Sequence, residues 1–241
     1  RAKALRFHCQ TAGMTLQAQQ PLNNVVRVTV QALAAVLGGC QSLHTNGFDE
    51  ALGLPTADAA TLALRTQQIL ASESGVADFV DALGGSFAIE ALTARIEEGA
   101  WKYIERIDAM GGMVDAIEQG YPQREIQQSA YTYQLEIEQK KRVIVGLNAY
   151  SSSRGAKDSG VPVFQVNPRI EDEQRDRVRA VRASRDASKW SASMEKIEAA
   201  ARGRDNLLPL VLEAVKANAT VGEISNVLRK VFGEHQETLT I

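Results

Sequence analysis

The chain is poor in everything that would staple or anchor it. Its 241 residues hold two cysteines, Cys9 and Cys40. That is too few for a disulfide framework, and their spacing matches no zinc pattern. They read as reduced thiols of a cytosolic protein. No apolar run approaches the roughly 20 residues of a membrane span, and no signal peptide is recognisable. Lysine plus arginine (27) nearly balance aspartate plus glutamate (29), for a net charge of −2. Neither nucleic acid nor an anionic membrane surface is therefore an expected partner. No P-loop, GxGxxG or Ser-His-Asp pattern occurs, and no internal repeat or low-complexity segment. The first residue is Arg, followed almost at once by a strand-like stretch. The expectation is a chain that begins inside a longer polypeptide.

What is present starts with two polar stretches, residues 6–13 and 41–55. Leu5 to Thr11 reads as a strand with His8 and Gln10 on one face, Phe7 and Cys9 on the other. A helix follows from Pro21, with Val26, Val30, Leu33 and Leu37 as its inward stripe, stopped by Gly38-Gly39. Gln41 to Asn46 is the next strand, with Ser42, His44 and Asn46 on one face. A helix over 58–73 points Leu62, Ile69 and Leu70 inward, and Val76 to Val80 reads as a third short strand. Gly84-Gly85-Ser86 leads into a long helix striped by Leu92, Ile96, Ala100, Tyr103, Ile107 and Met110. Alternating strands and helices argue for a parallel sheet of βα units.

The second half reads as mainly helical. One helix after Pro122 is striped by Ile126, Ala130, Tyr133 and Ile137. Arg142 to Asn148 and Val161 to Val166 read as extended, and Ser151 to Gly160 as a linker. Residues 171–186 mix Arg with Asp and Glu, the mark of a solvated, salt-bridged helix. Trp190, Met194, Ile197 and Ala201 stripe the next helix, and 206–217 form another. Thr220 and Glu223 form a capping box for a last helix that ends at Gly233. His235 falls in an exposed tail.

Two neighbouring strands that present His8, Gln10, Ser42, His44 and Asn46 are unusual, because barrel interiors are normally filled by Val, Ile and Leu. Each unmet buried polar group costs about 1–3 kcal/mol. A ligand-lined space and an internally satisfied polar network both answer this pattern. Asp49 and Glu50 follow the second strand, where barrel enzymes keep their active sites, yet they equally suit the start of the next helix. Gly13 serves either a close backbone approach or a simple turn.

The motifs His8-Cys9-Gln10-Thr11-Ala12-Gly13, Asn23-Asn24-Val25-Val26-Arg27, Gln41-Ser42-Leu43-His44-Thr45-Asn46 and Asp49-Glu50-Ala51-Leu52-Gly53-Leu54-Pro55 resemble the methylmalonyl-CoA mutase family, catalytic subunit. So do Arg65-Thr66-Gln67, Gly84-Gly85-Ser86, Gly111-Gly112-Met113, Val145-Gly146-Leu147-Asn148 and Ala219-Thr220-Val221-Gly222-Glu223-Ile224. The resemblance implies an α/β fold. The chain would be the C-terminal part of a TIM (β/α)8 barrel, about three βα units, followed by a mainly helical region. The implied division is 1–150 for the barrel units with trailing helices, 151–170 for a linker and 171–241 for the helical region.

The activity it implies is an adenosylcobalamin-dependent radical rearrangement of an acyl-CoA, methylmalonyl-CoA to succinyl-CoA first. Isobutyryl-, 2-hydroxyisobutyryl- and ethylmalonyl-CoA are the other substrates to weigh. By motif position Gln10 and Gly13 look like corrin-side contacts. Asn46 and Glu50 look like partners of the adenosyl ribose, and Gly53 lies close to the cofactor. His8, Gln41 and Ser42 look like substrate contacts, with His8 a hydrogen-bond donor to the thioester region. No other catalytic residue and no metal ligand is assigned in this chain. The Asp-x-His-x-x-Gly run that supplies a cobalt-ligating histidine does not occur in it.

The partners implied are the N-terminal half of the barrel, a cobalamin-binding domain or small subunit, and a second chain in a dimer or heterodimer. The implied location is cytoplasm, or the mitochondrial matrix in a eukaryote. Met14 departs from the family's bulky or aromatic residue, and the family's acyl-recognising tyrosine, arginine and second histidine have no counterpart here. A non-catalytic partner subunit and a mutase scaffold are the competing readings. Retention of Gln10, Asn46 and Glu50 speaks against the first, and the polar strands against the second. Alone, the 241 residues are expected to aggregate, with open sheet edges and an apolar rim.

Overall fold

A computed structural model of the chain describes residues 4–151 and 160–236. Described residues through Phe164 form one compact unit, and those from Gln165 onward form another.

The first unit is built on β1 (His8–Gln10) and β2 (Ser42–His44), paired in parallel with His8 opposite Ser42 and Gln10 opposite His44. A parallel pair needs a long crossover, supplied by α1 (Asn23–Leu37). Gly39 ends it in a left-handed conformation, φ 77°. The face of α1 that is buried differs from the expected stripe. Asn24, Val28 and Ala32 are buried, whereas Val26 and Val30 are exposed. The reason is Asn24. Its amide donates to the carbonyls of Gln17 and Phe48, each at 2.8 Å, and accepts from Gln17 N–H at 3.1 Å. An amide so fully satisfied is stable in the interior, and it turns α1 to put small residues inward.

α2 (Ala57–Ser72) starts at Thr56, whose side chain accepts from Ala59 N–H. Of its expected inward residues Leu70 is buried, while Leu62 and Ile69 are not. Val76 to Val80 is not a strand. Val76–Asp78 forms a 3-10 turn, Gly75 before it is left-handed, and Val80 is 98% exposed. A short apolar run broken by Asp78, with no strand beside it, has nothing to pair with. Among the described residues the sheet has two strands, so the βα units number two where about three were expected. α3 (Phe87–Ala109) buries none of its residues, although it carries the expected apolar stripe. α4 (Met113–Glu118) and α5 (Tyr121–Glu138) follow. The segment from Arg142 to Asn148 turns rather than extends. Gly146 is left-handed at φ 83°, and Asn148 holds the bend by accepting from Ile144 N–H at 2.7 Å. Val161 to Val166 forms no strand. The linker expected over 151–160 lies outside the described residues, apart from its two ends.

The second unit is helical: α6 (Pro168–Ser184), α7 (Ala187–Ala201), α8 (Leu207–Lys216) and α9 (Val221–Phe232). Met194, Ile197, Ala214 and Ile224 make its core, flanked by Trp190, Leu210, Val211, Val227 and Leu228. The Thr220–Glu223 capping box is formed in both directions. Glu223 also takes both guanidinium branches of Arg185, at 2.8 Å each, while Arg185 stacks over the Trp190 ring at 4.1 Å. Those hydrogen bonds hold the Glu223 carboxyl well below its ordinary 4.5, at about 2.

Candidate functional site

The two strands deliver their polar side chains to one face. His8 and Ser42 are directly opposite, and His8 Nδ1 meets Ser42 Oγ at 2.8 Å. That bond fixes the ring's orientation, and Nε2 has no partner among the described residues. Gln10 is exposed at the C-terminal end of β1, and its Nε2 donates to Asn46 Oδ1 at 3.3 Å. Gln41 is a different case. Its Oε1 accepts from Phe7 N–H at 2.9 Å and its Nε2 donates to the Gly39 carbonyl at 2.7 Å. The first bond ties the start of one strand to the other, and the second folds the amide back on its own turn.

Beyond the strand ends, two loops meet. The sheet extends one step further as Thr11 N–H donates to the His44 carbonyl at 3.0 Å. Thr11 Oγ1 then accepts from Asn46 N–H at 2.9 Å. The first loop presents Gly13, the second Asn46 and Glu50. A Cβ on Gly13 would stand 2.8 Å from Asn46 Nδ2 and 3.4 Å from Glu50 Cγ. The missing side chain is what brings the three together. Asn46 is buried, and its Nδ2 has no hydrogen-bond partner among the described residues. Glu50 is exposed and its side chain makes no described hydrogen bond. An unused buried donor, a free carboxylate and a bare backbone therefore share one cradle. A donor and a carboxylate side by side suit a ligand that carries hydroxyl groups. Gly53 is exposed further along the same loop.

Three further residues support this cradle, and two of them, Asn24 and Gln31, were not singled out from the sequence. Asn24 ties the first loop to the second through Gln17 and Phe48. Its signal was available, since it lies at i, i+4, i+8 with Val28 and Ala32. Gln31 holds the turn around Gly13 by accepting from Ala12 N–H and donating to Thr15 Oγ1. Asp49 is 1% exposed and takes Thr56 N–H at 2.8 Å. Cys9 and Cys40 are free thiols, and burial pushes the Cys40 thiol up. A raised thiol is a poor nucleophile.

The family model for methylmalonyl-CoA mutase matches residues 1–234. The chain belongs to the methylmalonyl-CoA mutase family. It is 44% identical over 235 residues to the 2-hydroxyisobutanoyl-CoA mutase large subunit of Aquincola tertiaricarbonis, covering 97% of this chain and 42% of that protein. It is 44% identical over 233 residues to methylmalonyl-CoA mutase of Cereibacter sphaeroides, covering 96% and 32%. Against the mitochondrial methylmalonyl-CoA mutase of Homo sapiens it is 43% identical over 234 residues, covering 96% and 31%. The chain thus spans between about a third and two-fifths of the length of these curated relatives.

Proposed function

We propose that this chain supplies two strands and the cofactor-facing loops of an adenosylcobalamin-dependent acyl-CoA mutase, an isomerase built on a TIM barrel. The observation that carries the reading is the Gly13 cradle. A buried amide donor left unpartnered, a free carboxylate and a residue without a side chain meet at the C-terminal ends of the strands. Barrel enzymes do their chemistry at that end. The residues fit the adenosyl group, whose ribose offers hydroxyls that both donate and accept. Bound adenosylcobalamin would supply the radical chemistry, which no side chain here can provide.

The chain's own residues bind and orient. Asn46 Nδ2 donates to a ribose oxygen and Glu50 accepts from a ribose hydroxyl. Gln10 keeps the Asn46 amide from rotating, because it already occupies Oδ1. Gly13 and Gly53 let backbone approach the corrin side. His8 and Ser42 lie deeper along the strands, where a thioester would pass, and their mutual bond leaves His8 Nε2 to donate to it. Gln41 acts mainly on the strands themselves, and touches substrate only by giving up a backbone bond. The remaining barrel, the cobalamin-binding domain or subunit, and a second chain of a dimer or heterodimer complete the site.

Methylmalonyl-CoA to succinyl-CoA is the first substrate assignment. The 2-hydroxyisobutyryl ester is the second, favoured by the relative from Aquincola tertiaricarbonis. The test is turnover by the complete enzyme with adenosylcobalamin, with methylmalonyl-, 2-hydroxyisobutyryl-, isobutyryl- and ethylmalonyl-CoA supplied separately. Conversion of one ester establishes mutase and substrate together. Cofactor binding without any conversion points to another acyl group. Neither binding nor conversion would make this a non-catalytic partner subunit.

A further inference from the structure

We infer that Asp49 is a positioning residue that aims Glu50 at the Gly13 cradle; this rests on reading that cradle as the adenosyl site. After β2 the chain must turn, present Glu50 and hand over to α2 within a dozen residues. Asp49 governs both ends of that stretch. Its carbonyl accepts from Leu52 N–H at 2.8 Å and Gly53 N–H at 3.2 Å, which closes the turn behind Glu50. Its carboxylate Oδ2 accepts from Thr56 N–H at 2.8 Å and Thr56 Oγ1 at 3.1 Å, which ties the far end of the loop to the same residue.

The alternative role, capping α2, is already filled. Thr56 caps that helix itself, through Ala59 N–H at 3.2 Å. What Asp49 adds is the shape of the loop. Glu50 needs that shape, because its side chain has no hydrogen bond of its own among the described residues and its direction comes from the backbone alone.

The arrangement is costly, which marks it as more than convenient packing. Asp49 is 1% exposed, and its Oδ1 has no partner among the described residues. Burying a carboxylate oxygen unpaired is unfavourable. Gly47 is part of the same device. A Cβ there would come within 2.6 Å of Asp49 Oδ1, so only glycine leaves room for the carboxylate. Gly47 N-caps nothing; its carbonyl accepts from Glu50 N–H at 3.2 Å. Two buried positions, 47 and 49, therefore fix the loop from which Glu50 reaches the cradle.

The test uses the complete enzyme, cobalamin-binding domain or subunit included. Adenosylcobalamin and hydroxocobalamin, which lacks the adenosyl group, are titrated by absorbance. Asp49→Ala should weaken adenosylcobalamin binding roughly tenfold and leave hydroxocobalamin within about twofold. Gly47→Ala, which displaces the carboxylate without removing it, should show the same selective loss, and it carries the test if Asp49→Ala does not fold. Asp49→Asn keeps an acceptor for Thr56 N–H and should recover most of the affinity. In a Glu50→Gln background Asp49→Ala should add less than about twofold, since residues acting through one another are not additive. Equal losses for both cobalamins, or full additivity with Glu50→Gln, would overturn the assignment of Asp49. An adenosylcobalamin affinity unchanged in Glu50→Gln would overturn the cradle reading itself, and the assignment with it.

Discussion

The two units bury different chemistry. In the second, a contiguous apolar set closes on itself: Met194, Ile197, Ala214 and Ile224, with Trp190 and Leu210 against them. In the first, the largest fully buried side chains include Asn24 and Asp49 beside Val28. Its apolar surface lies outside, on Val26, Val30, Phe87 and Ile96. One unit uses its interior for stability. The other uses its interior to hold loops, and leaves apolar faces exposed. A polar interior is affordable only where each group is answered, as Asn24 is, or where a ligand answers it, as proposed for Asn46.

The largest test of that contrast is to separate the units. Residues 165–236 expressed alone should give a monomer with a cooperative thermal melt. Residues 4–164 should aggregate, because patches of that kind seek partners. A sharp melt of monomeric 4–164, read by circular dichroism and gel filtration, would end the argument that its apolar faces await cover. Next in size is Ile197→Ala, at the centre of the second core and fully buried. It should cost about 2–5 kcal/mol of that unit's stability, seen as a shifted urea midpoint, with cobalamin titration unaltered. Gly13→Ala should do the reverse. A Cβ 2.8 Å from Asn46 Nδ2 overpacks the cradle and should weaken adenosylcobalamin about tenfold, with little change in the melt.

The smallest effect is electrostatic. Glu223 is held down at about 2 by Arg185, so it binds its proton less readily folded than unfolded. Its contribution is fully present above its ordinary 4.5 and is lost as pH falls toward 2. The melting temperature of 165–236 should drop through that window by a few degrees more than in Glu223→Gln, whose profile there should be flatter. Identical profiles would show the pair to be idle.

Much of the second unit was legible because its signals are local. The Thr220–Glu223 box and the stripe Trp190, Met194, Ile197, Ala201 each act within a few residues. The first unit was legible in its motifs and misread in its packing. Val26 and Val30 have helical spacing, but spacing cannot say which face a neighbour covers, and Asn24 decided that through bonds to Gln17 and Phe48. Val76 to Val80 has strand composition without a strand beside it. Gln41 was expected at the substrate from its motif, and no local pattern shows that its amide also bonds Phe7 N–H and the Gly39 carbonyl.

The sequence by itself determined the family, the parallel strand–helix–strand unit and the polar character of the strand faces, because long motifs and two-residue alternation are written in the order of residues. Only the tertiary structure decided that Gly13, Asn46 and Glu50 share a cradle, that Asp49 is buried while Glu50 beside it is free, and which face of α1 turns inward. The first joins loops whose residues lie some 35 positions apart, and the others rest on side-chain bonds that must be satisfied once water is excluded, which no periodicity encodes.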